Sequence, residues 1–240
     1  YINWSEPVPP VSAPELFHIG IWTDIPAGSM NPWSNPGEMV HEWIVPREIL
    51  SEHEVGCDFY PTRSYETTFE YLLEIPEDQW FWQGPSPAIW WISISAINPS
   101  PDPGPFPWGW TTRDYGFGGG SIILMDPTEP VVGSVYLLGA PIEEPEMTPW
   151  DQAFELITYE IGTPGPTATP TETPVPTDTP TPVGTNTPTP VETVKWSQPP
   201  VLNPGSPHPE CIWGWDEESN YSFHQIAADD WLCSTDQPVT

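Results

Sequence analysis

The sequence predicts an all-β protein, an antiparallel β-sandwich of jelly-roll type, and three observations carry that expectation. Proline interrupts nearly every window long enough for a helix: 37 of the 240 residues are Pro, and each removes a backbone donor and disfavours helical backbone in its predecessor. The apolar runs are rich in Ile, Val, Trp, Tyr and Phe, which suit a pleated surface. Those runs are short and are separated by Pro-, Gly- and Asn-rich breaks.

Residues 1–161 form the body of the domain. "LFHIGIWT" (16–23) alternates Phe17, Ile19 and Ile21 with His18, Gly20 and Trp22, and "TFEYLLEI" (68–75) alternates Phe69, Tyr71, Leu73 and Ile75 with Glu70, Leu72 and Glu74. A period of two with one apolar face predicts half-buried antiparallel strands. Further strands are expected at 39–45, 88–97, 108–115, 120–125, 132–138 and 153–159, divided by "DIPAG", "NPWSNPG" and "NPSPDPGPFP". "PEDQWFWQG" (76–84) reads as a turn or a single helical turn. Strands at this spacing indicate a sandwich.

Residues 162–194 alternate Thr with Pro and offer nothing apolar to bury, which predicts an extended polyproline-II linker. Such tracts are also O-glycosylation substrates in secreted proteins, with Thr169, Thr173, Thr179 and Thr187 as candidate acceptors. A bare spacer and a sugar-coated one are equally compatible with the sequence.

Residues 195–240 return to folded-domain composition in "CIWGWDEES" and "FHQIAADDWLC", where two strands are expected. A two-stranded ribbon has two unpaired edges and too little core to stand alone in water. On its own such a tail is marginal.

The charge balance is extreme: 34 acidic residues stand against four basic ones, for a formal net charge of −30. Such a surface repels phosphate backbones and anionic headgroups, so nucleic acid and membrane surfaces are not expected partners. The longest apolar run, "AIWWISISAI" (88–97), has the length of a strand and not of a membrane helix. Tyr1 is not expected to be the start of the gene product.

Cys57, Cys211 and Cys233 are odd in number. In an extracellular chain Cys211 and Cys233 would close a small loop by a disulfide; the alternatives are three buried thiols, or Cys57 as partner to one of the other two. The acidic pairs Asp216–Glu217 and Asp229–Asp230 are candidate Ca2+ ligands, because Ca2+ takes several hard oxygens, but EF-hand spacing is absent and solvated acidic turns are the plainer reading. No other cofactor is indicated. Fifteen tryptophans raise carbohydrate binding, since indole faces stack on sugar rings; Trp82, Trp90, Trp108 and Trp110 are the candidates, although alternation sends about half of such rings into a core. Asn3 and Asn220 each begin an N-glycosylation triplet. His41-Glu42 lacks the second His of a metalloprotease helix, "GFGGGS" (116–121) lacks the Lys-Ser/Thr of a phosphate loop, and no G-x-S-x-G elbow occurs. An enzyme is not expected.

"KWSQPP", "CIWGWDE", "IAADDWLC" and "PVT" in 195–240, with "FHIGIWTDIPAG", "PWSNPGEMVHEW", "GCDFYP", "IPEDQWFWQ", "PWGWTTR", "GSVYLLGAPIE" and "WDQAFEL" in 17–156, resemble an uncharacterised bacterial extracellular domain found singly or in tandem in large secreted and surface proteins. The resemblance covers nearly everything outside the linker. It implies a β-sandwich and brings no known activity or catalytic residue. It also implies a permuted order, because in that family the K-W-S-Q-P-P portion stands at the front and runs directly into the part that here begins at Tyr1.

The expectation is then an extracellular or cell-surface structural protein, one repeat or subunit of a filament, in which residues 195–240 of one copy complete the sandwich of a neighbouring copy head to tail. Closure of the tail onto its own chain is the plain alternative. A carbohydrate-binding or adhesive module, with glycans as partners, is the second functional expectation.

Overall fold

The computed structural model describes residues 13–28, 31–59, 67–84, 87–99, 107–118, 120–125, 129–135, 139–143, 148–160, 191–202, 209, 211–214, 216–222, 225–233 and 237–240. Among these the regular structure is all β apart from two single 3-10 turns, at Arg47–Ile49 and Glu77–Gln79, the second within the segment expected to turn. The strands are β1 (Leu16–Ile25), β2 (Asn35–Pro46), β3 (Ser51–Phe59), β4 (Thr67–Leu72), β5 (Ala88–Ile97), β6 (Gly109–Asp114), β7 (Ile122–Met125), β8 (Gly139–Pro141), β9 (Trp150–Gln152), β10 (Phe154–Glu160), β11 (Val191–Gln198), β12 (Ile212–Trp213), β13 (Asp216–Glu218) and β14 (Gln225–Cys233).

They form an all-β sandwich. Its main layer is a six-stranded sheet in the order β2-β1-β5-β14-β7-β8, with smaller sheets β10-β11, β12-β3-β4 and β13-β6-β9. The main core lies between the large sheet, which contributes Ile21, Trp43, Ile92 and Trp231, and Trp110, Trp150 and Leu156 of β6, β9 and β10. A second cluster covers the opposite face with Trp22, Met39, Trp91, Leu124 and Ile226, packed beneath Trp33 and Tyr221. This second cover corrects the half-buried reading of β1: His18 and Trp22, on the face expected to be open, are fully buried. Gly20 sits between them because a Cβ there would meet Ser93 Oγ at 2.9 Å and Met39 Cε at 3.0 Å.

Two further departures have local causes. The stretch at 132–138 is not a strand over its described residues: Gly133 takes φ +90° in a turn that folds Ser134 onto β2, leaving only a Glu38–Val135 bridge. Conversely β3 carried no alternation to read, since Ser51 to Val55 are all exposed and neither face of that half is buried. The tail holds four strands where two were expected, and β11 begins at Val191, inside the segment read as linker.

Candidate functional site: the joint between tail and body

The feature that organises the molecule is how residues 191–240 enter the body. β14 lies between β5 and β7 and pairs antiparallel with both, Ala228 facing Ser93 on one side and Ile122 on the other. β11 pairs with β10, β12 runs parallel to β3, and β13 pairs with β6. Among the described residues, each of the four sheets therefore contains a strand of the tail. Val239 and Phe81 exchange backbone hydrogen bonds, and Thr240 N donates to Ile157 O at 3.1 Å.

The hydrophobic pattern explains the seating. Ile226, Ala227, Ala228 and Trp231 are fully buried, with Ala227 and Trp231 facing one cluster and Ile226 and Ala228 the other. Full burial of one large apolar side chain contributes about 1.5–3 kcal/mol. A body without its tail would leave both cores open and the β5 edge unpaired.

A disulfide joins the same two parts: Cys57 of β3 bonds Cys211, which immediately precedes β12. This corrects the Cys211–Cys233 pairing. The parallel register of Ile212 with Asp58 sets Cys211 beside Cys57, with Cα atoms 4.7 Å apart, whereas β14 carries Cys233 into the large sheet, buried and outside any disulfide.

Charge is buried at the joint as well. Asp229 and Asp230 of the tail and Asp151 of the body are fully buried. Asp229 Oδ2 accepts from Gln152 N at 2.7 Å and from Gln198 Nε2 at 3.4 Å, and its Oδ1 accepts from Asp230 N at 2.9 Å. Asp151 Oδ2 accepts from the Gly116 and Phe117 amides at 2.6 and 3.2 Å, so the first two residues of "GFGGGS" hold a carboxylate of the protein itself. Burial, reinforced by the neighbouring Asp151 charge, pushes the Asp229 carboxyl well above the usual carboxylate range. Burial raises Asp151 too, opposed by the Gly116, Phe117 and Gln198 hydrogen bonds and by the Arg113 charge.

A family profile described as a domain of unknown function, DUF7901, matches residues 1–157 and 194–240. The chain belongs to the DUF7901 family. The two matched segments, on either side of the Thr/Pro tract, are the two parts that the sheets bring together. No curated protein matches the chain, and no solved structure does.

In this DUF7901 domain the expected Ca2+ ligands are not gathered into one set. Asp216 accepts from Thr111 Oγ1 at 2.9 Å and Glu217 from Gln225 Nε2 at 3.0 Å, while Asp229 is satisfied by amides. Among the described residues no group of three or more His, Cys, Asp and Glu side chains is arranged to hold a metal ion. Asn220 is not an accessible acceptor for an N-glycan: it is 2% exposed and its Nδ2 is buried. Asn3, Thr169, Thr173, Thr179 and Thr187 lie outside the described residues. Of the four candidate stacking rings, Trp110 is buried with its Nε1 donating to Ala153 O, Trp90 and Trp108 pack against the core, and Trp82 alone is open, at 57% exposure. Alternation along β5 and β6 turns Trp90 and Trp110 inward, and Trp108, just before β6, packs edge-on against Phe17. Asp151, Gln152 and Gln198 went unnoticed because no local motif marks them; the only signal was a pair of acids inside an apolar run, "AADDWLC".

Proposed function

We propose that this chain is a bacterial extracellular, non-catalytic structural protein, a repeat or subunit of a filament or surface appendage in which tails complete bodies. The observation that carries this reading is the presence of a tail strand in every sheet of the described residues, with the disulfide across the same seam. In the structure the tail fills the body of its own chain, and the same contacts serve equally when a neighbouring copy supplies it.

The sequence of the connecting tract favours the second arrangement. Glu160 pairs directly with Val191, so a chain that seats its own tail must bring the two ends of the intervening segment to one point. A Thr/Pro tract that prefers extended backbone, about 3.1 Å per residue in polyproline II, opposes that return and carries the tail toward another body. Exchange of an identical element between copies then propagates head to tail. A disulfide at the seam fits an oxidising, extracellular setting. Ca2+ belongs to this reading only as a stabiliser of the seated tail, which a melting temperature raised by Ca2+ and lowered by EDTA would support.

Light scattering on the purified full chain tests the reading. Species of two or more chains that persist on dilution support it, and a strictly monomeric chain at every concentration sinks it.

A further inference from the structure

The disulfide uses two of the three cysteines, and the third faces an amide. Cys233, fully buried on β14, lies with Sγ 2.5 Å from Oε1 of Gln83. A C=O bond is about 1.2 Å long, so the Gln83 carbonyl carbon is no more than about 3.7 Å from the sulfur. Gln83 is itself 6% exposed, and its Nε2 is buried without a hydrogen-bond partner among the described residues. Buried amide nitrogens are rarely left unpaired. Here the unpaired nitrogen belongs to the same carboxamide on which a buried thiol is pressed. Nucleophile, electrophile and leaving group are thus assembled in one dry site.

We infer that Cys233 and Gln83 form an internal thioester. The sulfur adds to the Gln83 carbonyl carbon, the C–N bond breaks, and the thiol proton leaves with the nitrogen as ammonia. No electrons are exchanged, and no oxidant is required. An amide is a weak electrophile and a buried thiol a weak nucleophile; what the fold supplies is proximity in a water-excluded site, and attack requires the sulfur to swing from its hydrogen-bonded place at the oxygen onto the carbonyl carbon. The same burial keeps out the water that would hydrolyse the product. Gln83 belongs to the body and Cys233 to the tail, so the bond forms only once a tail is seated, and it ties the seam independently of Cys57–Cys211. A thioester is also an activated acyl group. On opening of the seam it would acylate a primary amine, a lysine side chain or a small alkylamine, and release the Cys233 thiol. The inference holds whether the tail comes from the same chain or from a neighbour.

Intact mass of the full chain, denatured without reductant, tests it. The expected mass is that of the chain with one disulfide less one ammonia, with no thiol available to iodoacetamide. Methylamine should add once, at Gln83, and free one alkylatable thiol per chain. Conversion of Gln83 to a carboxylate in the wild type, absent from Cys233→Ala, is the mark of a hydrolysed thioester and also supports it. Gln83→Ala should abolish methylamine uptake. A full-mass chain with an unmodified Gln83, one thiol that alkylates on denaturation and no methylamine uptake overturns the inference, leaving a buried S–H···O hydrogen bond; this wild-type result decides even where the variants fail to fold.

Discussion

The Asp229 carboxylate of the tail accepts a 2.7 Å hydrogen bond from the backbone amide of Gln152 in the body, where both residues are fully shielded from water. Beside them lies Asp151, also buried. Tail seating therefore brings like charges together in a low-dielectric site, and the joint should respond to pH.

Asp229 and Asp151 are both raised above their ordinary values, so they bind protons more readily folded than unfolded. Their contribution is fully present below about pH 4 and is lost as pH rises through the raised folded values. Asp151→Asn keeps an acceptor for the Gly116 and Phe117 amides and removes one of the charges. Denaturant melts should show the variant gaining roughly 1–2 kcal/mol over wild type at pH 7 and little at pH 4. Equal gains at both pH values would show that the charge is not the cause.

His18 works in the opposite direction. It is buried against Tyr221, with Nε2 3.1 Å from Glu42 Oε2, and burial lowers its pKa despite the Glu42 carboxylate. Its contribution is present above the ordinary value near 6.5 and is lost as pH falls through the lowered folded value. His18→Gln should flatten that acid limb of a melting-temperature profile while leaving the neutral limb in place.

Among the described residues of the tail, Trp231 is the tryptophan that is fully buried. Trp231→Ala should cost about 3–5 kcal/mol, read as a shift in denaturation midpoint. If the body folded without its tail, the loss would fall far below that range.

In a chain that seats its own tail, Cys57→Ala removes a link that spans 154 residues. In the loop-entropy treatment such a link contributes about 5 kcal/mol. Wild type in reductant should match the variant, and a residual difference would locate the effect in packing.

The all-β class was legible because proline and β-branched or aromatic runs leave few alternatives, and β1, β4 and β5 were readable from their composition and spacing. The unity of tail and body was legible only in part. An undersized segment such as "CIWGWDEESN" signals that it needs other strands, but the short β12 and β13 hold shape only by pairing with β3 and β6, so their own sequences carry little pattern. The disulfide was misread for a related reason: loop length favours Cys211 with Cys233, while the parallel β12–β3 register, a contact distant in sequence, brings Cys57 to Cys211. Trp90, Trp108 and Trp110 look alike in sequence whether they serve a core or a ligand, and burial alone separates them from Trp82.

Whether tails complete neighbouring bodies is tested most directly by mixing two variants of the full chain, Cys57→Ala and Cys211→Ala, unfolded together and refolded under oxidising conditions. Neither can form the disulfide within itself. Covalent dimers in a non-reducing denaturing gel, with peptide mapping that joins Cys57 of one variant to Cys211 of the other, are the predicted result. Monomers alone, folded and without that interchain bond, would contradict it.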